Sequence, residues 1–503
     1  MNSVQESFSF LLKKRIVWIC ACLALAIAIV PFARAFFRVE VDYNEGWNVY
    51  NASIVADYHL LYREKYGWTT VNYPMLSFFI QAQLHRLTHD YLFTARAVSV
   101  LSLTCCSVLV GAIVRSLSGS WQASTLAGFY CLALFCTDAD IYVGMDDPQM
   151  FAQVFFLAGL LVYLWRRESL LAIACAALLF VVGGCIKHNP IDFPLAVLLE
   201  LALISLRRAL WFSGWGLFFA SVAVALNVHY GGPHFLSQLL APRGYSVGKV
   251  FDQLVNVFGP LLLPLCVALH TAFVVRKDER RRIAAILLAT TLVVGGYFGG
   301  GQGVSINALF SALLAMAIVI GLFCAEVASA RWRWAKRPEA AYAPLLLFGW
   351  LVIPLIISGN WNPLRSLRET ASAERRFDED VAFLHSRMGP ALCESLLRCY
   401  FAGKPYLYDP FNATRLIRFG KLDAGVIVQE VRRQRYGTIQ FDEPIRDEKD
   451  SERFDPAILA AIEENYVPAL EHKDGVIYVP KTKPVLTAIL LLAVPRVRDL
   501  AQN

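Results

Sequence analysis

Long apolar runs separated by short polar gaps, with basic clusters in every other gap, constrain this chain more than any other feature. Runs near 16–36, 92–114, 122–142, 148–165, 169–186, 191–206, 209–228, 252–275, 283–299, 304–328 and 341–358 approach the about 20 residues that a helix needs to cross a bilayer. Lys13-Lys14-Arg15, Arg115, Arg166-Arg167, Arg207-Arg208, Arg276 to Arg282 and Arg331 to Arg337 fall in alternate gaps. Placing every cluster in the cytoplasm closes the count at about eleven spans, with the N-terminus inside and everything after residue 358 outside. The expected class is therefore a polytopic α-helical membrane protein. Charged residues make up only 17% of the chain, against about 25% in a soluble domain, so a purely soluble fold is excluded. Basic loops retained inside account for the net charge of +7, and no nucleic-acid partner is implied.

The same count assigns the remaining segments. No small-x-small cleavage site follows the first run, which reads as a retained signal-anchor. A span at Pro74 to Leu87 would invert the Arg115 gap. The segments 47–60 and 74–88 are thus expected to be juxtamembrane helices on the outer surface, with Arg63, Lys65 and Arg86 at headgroup level. Residues 1–358 form the membrane domain on this reading. From 359 to 503 the charge density and β-like runs at Gly425 to Val428 and Gly475 to Val479 predict a soluble α/β or α+β domain outside the cytoplasm. Asn360-Trp361-Asn362-Pro363 marks the exit from the bilayer, and Val485 to Val494 is too short to span. Ten of the twelve cysteines lie in apolar runs. Cys393 and Cys399 do not, and they could pair only if the backbone breaks between them. With no CxxC and no His/Cys cluster, a zinc site is not suggested. The aromatic stretch from Tyr406 to Phe411 suits a sugar or peptide contact, and equally the core of a small domain.

Polar residues gather in the outer gaps. Charge near a bilayer is costly, so carboxylates and cations at helix mouths are candidate site residues. The first gap carries Asp42-Tyr43-Asn44-Glu45, with Tyr50 beyond it, and the second carries Asp146-Asp147-Pro148. Lys187-His188-Asn189-Pro190 follows, then a long gap with His234, Arg243 and Lys249, then Gly299 to Gly303. Each has a structural alternative. Asp42-x-x-Glu45 also fits a helix-start capping box. Asp147 and Asn189 each precede a proline, as an N-cap does, which leaves Asp146, Lys187 and His188 for contact with substrate. Lys187 could instead snorkel to headgroups, and Arg243 and Lys249 could be solvated loop residues. The glycine run fits no phosphate-loop pattern and reads as an inter-helix turn.

In this order, Asp42-Tyr43-Asn44-Glu45-Gly46-Trp47, Asn72-Tyr73-Pro74-Met75-Leu76, Ala95-Arg96-Ala97-Val98-Ser99 and Asp146-Asp147-Pro148 resemble the GT-C glycosyltransferases. The branch is that of the protein O-mannosyltransferases and the lipid A aminoarabinose transferase, and the resemblance covers about the first 200 residues. Relatives often carry adjacent Asp-Glu, where Asp42 and Glu45 here are separated. They often carry Lys-Pro-Pro where this chain has Asn72-Tyr73-Pro74, so a lysine is missing there and Lys187 or Arg243 would substitute. The resemblance implies an inverting enzyme that moves a sugar from a polyprenyl-phosphate donor to a lipid, glycan or protein acceptor outside the cytoplasm of a bacterial inner membrane. Asp42 or Glu45 would take the acceptor proton. Asp146 and Asp147, with Tyr50, would meet substrate hydroxyls. Lys187, His188 and Arg243 would hold the leaving phosphate. No metal is required when protein cations neutralise a monophosphate, although the oxygen-rich acidic set also suits Mg²⁺ or Mn²⁺. Rival readings are a flippase for a lipid-linked saccharide, and a polymerase or ligase using lipid diphosphate-linked oligosaccharide. A flippase would favour repeats and midplane charges, and neither is visible. A non-enzymatic assembly or sensor protein would leave the acidic motifs unexplained.

Overall fold

A computed structural model describes residues 2–57, 59–332, 334–357, 362–445 and 452–481. The bilayer exit at 358–361 and the apolar run Val485 to Val494 lie outside these described residues. The chain divides into two compact units, Met1–Arg375 and Arg376–Asn503.

Unit 1 is helical throughout. In chain order it holds α1 (Asn2–Arg34), α2 (Asn44–Ala56), α3 (Leu76–Thr88), α4 (Tyr91–Ser118), α5 (Trp121–Asp138), α6 (Gln149–Trp165), α7 (Leu170–Ile186) and α8 (Asp192–Ile204). Then come α9 (Leu206–Leu226), α10 (Phe235–Leu239), α11 (Val247–Phe258), α12 (Leu262–Val275), α13 (Arg282–Gly299), α14 (Phe310–Ala328), α15 (Ala343–Ile357) and the start of α16 (Pro363–Ser386). Side-chain caps fix several starts: Asp90 accepts from Phe93 N–H at 2.9 Å, and Ser120 from Ala123 N–H at 3.2 Å. A helix apolar all round belongs inside. Phe310 to Val327 of α14 is such a helix, buried along its length against α4, α5, α12 and α13. Small residues let α4 and α5 touch backbone to backbone. A Cβ on Gly111 would sit 2.9 Å from the Ser124 carbonyl oxygen, and one on Gly128 would sit 2.8 Å from that of Ser107.

Among the described residues, six helices are long and apolar enough to cross a membrane, or seven if a bent pair is one span. The sequence reading expects about eleven, and the difference has physical causes. At about 1.5 Å rise per residue, the 13-residue α8 reaches about 20 Å, short of a hydrocarbon core of about 30 Å. The run 252–275 is not one helix either: α11 and α12 meet at 96°. Gly259 and Pro260 occupy that break, where proline has no N–H to continue the ladder.

The basic gaps do meet at one end of the helices. Arg167 donates to the carbonyls of Glu279, at 3.2 Å, and Arg280. Arg281 reaches the Leu117 carbonyl at 3.2 Å and pairs with Glu326, which also receives Arg331 at 3.1 Å. Two buried carboxylates, Glu200 on α8 and Glu326 on α14, anchor this end, and Glu200 takes both Tyr163 at 2.7 Å and Arg167 at 3.2 Å.

Unit 2 mixes helices with one sheet. After the end of α16 come β1 (Ala391–Cys393), α17 (Leu396–Phe401), α18 (Pro410–Arg418), α19 (Ala424–Arg432), β2 (Thr438–Phe441), α20 (Pro456–Asn465), β3 (Tyr466–His472) and β4 (Gly475–Pro480). The sheet order is β1-β2-β4-β3, with β1 parallel to β2 and the other pairs antiparallel. The run Gly475 to Val479 is the strand its pattern predicts. Gly425 to Val428 is not, because Asp423 accepts from Gly425 N–H at 2.8 Å and starts α19 there. Asp409-Pro410 and Asp455-Pro456 start two further helices by the same aspartate cap with proline at the first helical position. Tyr408 and Phe411 are buried core, as the domain reading of that aromatic stretch has it. Arg398 is buried among Asp380 at 3.1 Å, Asp442 at 2.9 Å and the Asp474 carbonyl at 2.9 Å.

Cys393 and Cys399 form a disulfide, with Cα atoms 6.0 Å apart. The required break is present: β1 ends at Cys393 and α17 begins at Leu396. Closing so short a loop removes about 2 kcal/mol of chain entropy from the unfolded state. Replacing both cysteines with serine is expected to destabilise unit 2 by about that increment, read as a lower thermal midpoint. An unchanged midpoint in the full-length protein would show that the bond contributes nothing.

Candidate active site where the polar loops meet

Asp42, Glu45, Asp146, Asp147, Lys187, His188 and Arg243 stand on loops or helix ends of unit 1, where the ion pairs Glu45–Arg96 and Asp147–Lys187 tie segments together. Glu45, in the first turn of α2, is fully buried. Its carboxylate receives the Arg96 guanidinium from α4, with Nε at 2.7 Å, and the backbone N–H groups of Val41 at 2.8 Å and Asp146 at 3.0 Å. Arg96 also donates to the carbonyls of Phe37 and Val39. One ion pair thus ties the α1–α2 loop, the start of α2, and the second acidic motif. Asp42 is different: half-buried, it accepts from the Asn44 N–H at 3.0 Å and the Asn44 amide at 2.6 Å. The capping box does not form: the N-cap of α2 is Tyr43 with no side-chain cap, Asp42 accepts from Asn44 in the turn before the helix, and Glu45 reaches back to Val41.

Asp146 and Asp147 divide their work. The Asp146 carboxylate accepts from Gln81 on α3 at 3.1 Å, and its carbonyl accepts from Asn48 on α2 at 2.6 Å. Burial raises the Asp146 carboxyl well above the usual range, and Glu45 adds to the push while the Gln81 hydrogen bond opposes it. Asp147 accepts from Gln149 N–H, at the start of α6, at 2.7 Å on one oxygen. Its other oxygen faces Lys187 Nζ at 3.5 Å and Asn307 at 3.3 Å. Burial pushes the Tyr142 hydroxyl well above its usual range, with Asp147 and then Asp42 adding, so both carboxylates act on the same point.

Lys187 ends α7 and is buried, with Nζ 3.7 Å from the centroid of the Tyr73 ring. Burial lowers its pKa and the adjacent Asp147 opposes the shift. His188 is pushed down to about 3 by burial, then by Lys187 and Arg243, so its ring is neutral at ordinary pH. Its Nδ1 is buried without a hydrogen-bond partner among the described residues. Asn189 does not cap the next helix, which starts at Asp192. Arg243 is held by backbone pairing of its loop with the glycine run: Tyr245 bridges Gly301, Gln302 N–H donates to Gly244 at 2.8 Å, and Ser246 N–H to Gly300 at 2.9 Å. Lys249 Nζ also donates to the Gly301 carbonyl at 3.0 Å. The glycine run is thus a pinned turn, and Lys249 serves it. The Arg243 guanidinium has no hydrogen-bond or ion-pair partner among the described residues, yet its charge acts on Lys187 and His188. Tyr50 is buried within α2.

Among the described residues, no three His, Cys, Asp or Glu side chains group as ligands for a metal ion. Glu45 and Asp147 direct carboxylate oxygens to Arg96 and Lys187. Arg96, Gln81 and Tyr73 have no assigned role in the sequence reading. Arg96 carries the one available signal, a charge inside an apolar helix.

No family model matches this sequence, and no curated protein matches it. Solved structures do. ArnT from Cupriavidus metallidurans, a lipid A aminoarabinose transferase, superposes with a TM-score of 0.62 at 12% identity, over 92% of this chain and 97% of that one. The chain has the GT-C fold. The same enzyme bound to undecaprenyl phosphate gives a TM-score of 0.58 at 13% identity, with the same coverage. The Archaeoglobus fulgidus oligosaccharyltransferase AglB, in complex with an inhibitory peptide and a dolichol-phosphate, gives 0.51 at 10% identity over 94% of this chain and 75% of that one. At such identities the likeness is one of fold, so the reaction must be argued from the side chains that this GT-C fold gathers.

Proposed function

We propose that this chain is an inverting glycosyltransferase that moves a sugar from a polyprenyl-phosphate donor to an acceptor on the extracytoplasmic face of the membrane. The observation that carries the reading is a cation without an ion-pair partner at the loop cluster. Lys187 is matched by Asp147 and Arg96 by Glu45, which leaves Arg243 as a cation with no anion among the described residues. A monophosphate that leaves with its charge supplies that anion. Asp42, the half-buried carboxylate of the same cluster, takes the acceptor proton as the hydroxyl attacks the anomeric carbon. Asp146, its carboxyl raised by burial, orients sugar or acceptor hydroxyls. The GT-C structures with undecaprenyl phosphate and dolichol-phosphate support this donor class. Basic loops gathered at the opposite ends of the helices favour a site facing away from the cytoplasm, and a disulfide in unit 2 favours an oxidising surrounding for that unit.

The test is transfer of radiolabelled sugar from a panel of polyprenyl-phosphate sugars into membrane extract by the purified protein. Arg243→Ala removes a charge-assisted hydrogen bond, about 1.5–3 kcal/mol, so KM for the donor is expected to rise about ten- to hundredfold. Arg243→Lys should recover part of that loss. Wild-type protein that transfers from no donor would defeat the proposal and favour a transporter of lipid-linked saccharide.

A further inference from the structure

Among the charged residues of the loop cluster, Lys187 is held in an unusual way. Its ammonium has one carboxylate neighbour, Asp147 at 3.5 Å, and beneath it lies the face of the Tyr73 ring at 3.7 Å from the centroid. That distance is well inside the about 6 Å over which an aromatic face attracts a cation. The ring cannot drift. The Tyr73 carbonyl accepts from the Tyr62 hydroxyl at 2.7 Å, which fixes the backbone. Trp47 of α2 meets the ring edge-on at 4.9 Å, and His188 approaches at 6.5 Å. The ammonium is nearly excluded from water, with the lysine side chain 2% exposed, so few alternatives compete for its donors.

We propose that Tyr73 is a positioning residue, whose ring face aims the Lys187 ammonium at the phosphate that leaves during sugar transfer. The inference rests on the glycosyltransferase reading above and extends it. Lys187 has three N–H donors. Asp147 takes one, and the ring face supports the ammonium without consuming an oxygen acceptor. A donor therefore remains for an anion, and it is directed before the anion arrives. Such preorganisation counts most when charge develops on the leaving group, because no reorientation is then needed. Capture of the intact donor falls to Arg243, which has no counter-ion among the described residues. Loss of the ring should thus slow the chemical step more than it weakens donor binding.

The experiment compares wild type, Tyr73→Phe, Tyr73→Leu, Lys187→Met and the double variant Tyr73→Lys with Lys187→Met, all as full-length protein, by donor KM, kcat and thermal midpoint. Tyr73→Leu is expected to lower kcat about ten- to thirtyfold, with donor KM within about threefold of wild type. Tyr73→Phe keeps the ring face and should keep most of kcat. The double variant sends an ammonium from position 73 into the space that Lys187 occupies, and should exceed Lys187→Met alone. Equal kcat in wild type and Tyr73→Leu would overturn the proposal, as would an equal fall in Tyr73→Phe and Tyr73→Leu. If Tyr73→Leu fails to fold, the phenylalanine variant and the double variant decide the matter. A wild-type protein with no transfer activity would instead defeat the glycosyltransferase reading itself.

Discussion

Arg96→Met is expected to cost this protein a large part of its folding stability, and Glu45→Gln nearly as much. Both groups are buried, with 1% and 0% side-chain exposure, and each is the other's charge partner. Removing one partner of such a pair strands a charge away from water, at a cost of about 3–5 kcal/mol, a large fraction of the about 5–15 kcal/mol that stabilises a typical domain. Glutamine at 45 does not repair the site. The Glu45 oxygens accept from Arg96 and from two backbone N–H groups, so an amide would turn an N–H toward one of these donors. Replacing both residues with leucine and methionine removes the two charges together. That double variant should therefore be more stable than Arg96→Met alone. Thermal midpoints of the purified full-length proteins check this, and singles that unfold with the wild type would show that the pair is not structural. The consequence reaches the site directly, since the same guanidinium holds the carbonyls of Phe37 and Val39 and the same carboxylate holds the Asp146 N–H.

This pair also shows where sequence reasoning stops. Alternating apolar runs and basic gaps express one-dimensional constraints, membrane thickness and charge retention. The helices follow them in part, and several basic gaps meet at one end of the helices through Arg167, Arg281 and Arg331. What the runs do not encode is where a helix breaks against its neighbours. Among the described residues, α6 and α7 stop at 17 residues, α8 stops at 13 where Ser205 interrupts it, and Gly259-Pro260 turns α11 away from α12, so six helices reach spanning length, or seven with the bent pair. The acidic motifs stand out because charge near a bilayer is rare. Their division of labour does not, because it depends on partners far away in the chain. Arg96 lies 51 residues from Glu45, and Lys187 lies 40 from Asp147. Spacing ranks Asp42 only just ahead of Glu45 as the base, and the Arg96 contact to Glu45 is what the proposal adds in favour of Asp42. Tyr73 is less legible still, because a tyrosine in a polar loop carries no sign that a lysine from another loop will rest on it. In unit 2 the error has a local cause. Gly425 to Val428 has strand-forming residues, yet an aspartate two positions earlier caps a helix.

Asp42→Asn is the substitution expected to abolish transfer while leaving the fold intact. Asp42 accepts hydrogen bonds from Asn44 through a carboxylate oxygen, and an asparagine carbonyl oxygen accepts equally well at a helix start. What the amide cannot do is take a proton. A positioned general base contributes about 10²- to 10⁴-fold, so kcat should fall by that factor with little change in donor KM or thermal midpoint. The contrast with Glu45→Gln makes the prediction sharp. Both changes remove one negative charge from the same loop, separated by two positions. If Asp42 is the base and Glu45 the counter-ion of Arg96, the first variant loses rate and keeps stability, and the second loses stability first. The opposite pattern, an inactive but stable Glu45→Gln beside an active Asp42→Asn, would move the base to Glu45. It would also require Arg96 to release that carboxylate when substrate binds. A pH profile separates the outcomes further. The acid limb of kcat, set by the carboxylate that must be ionised, should vanish along with activity in Asp42→Asn. It should persist in whatever fraction of Glu45→Gln remains folded.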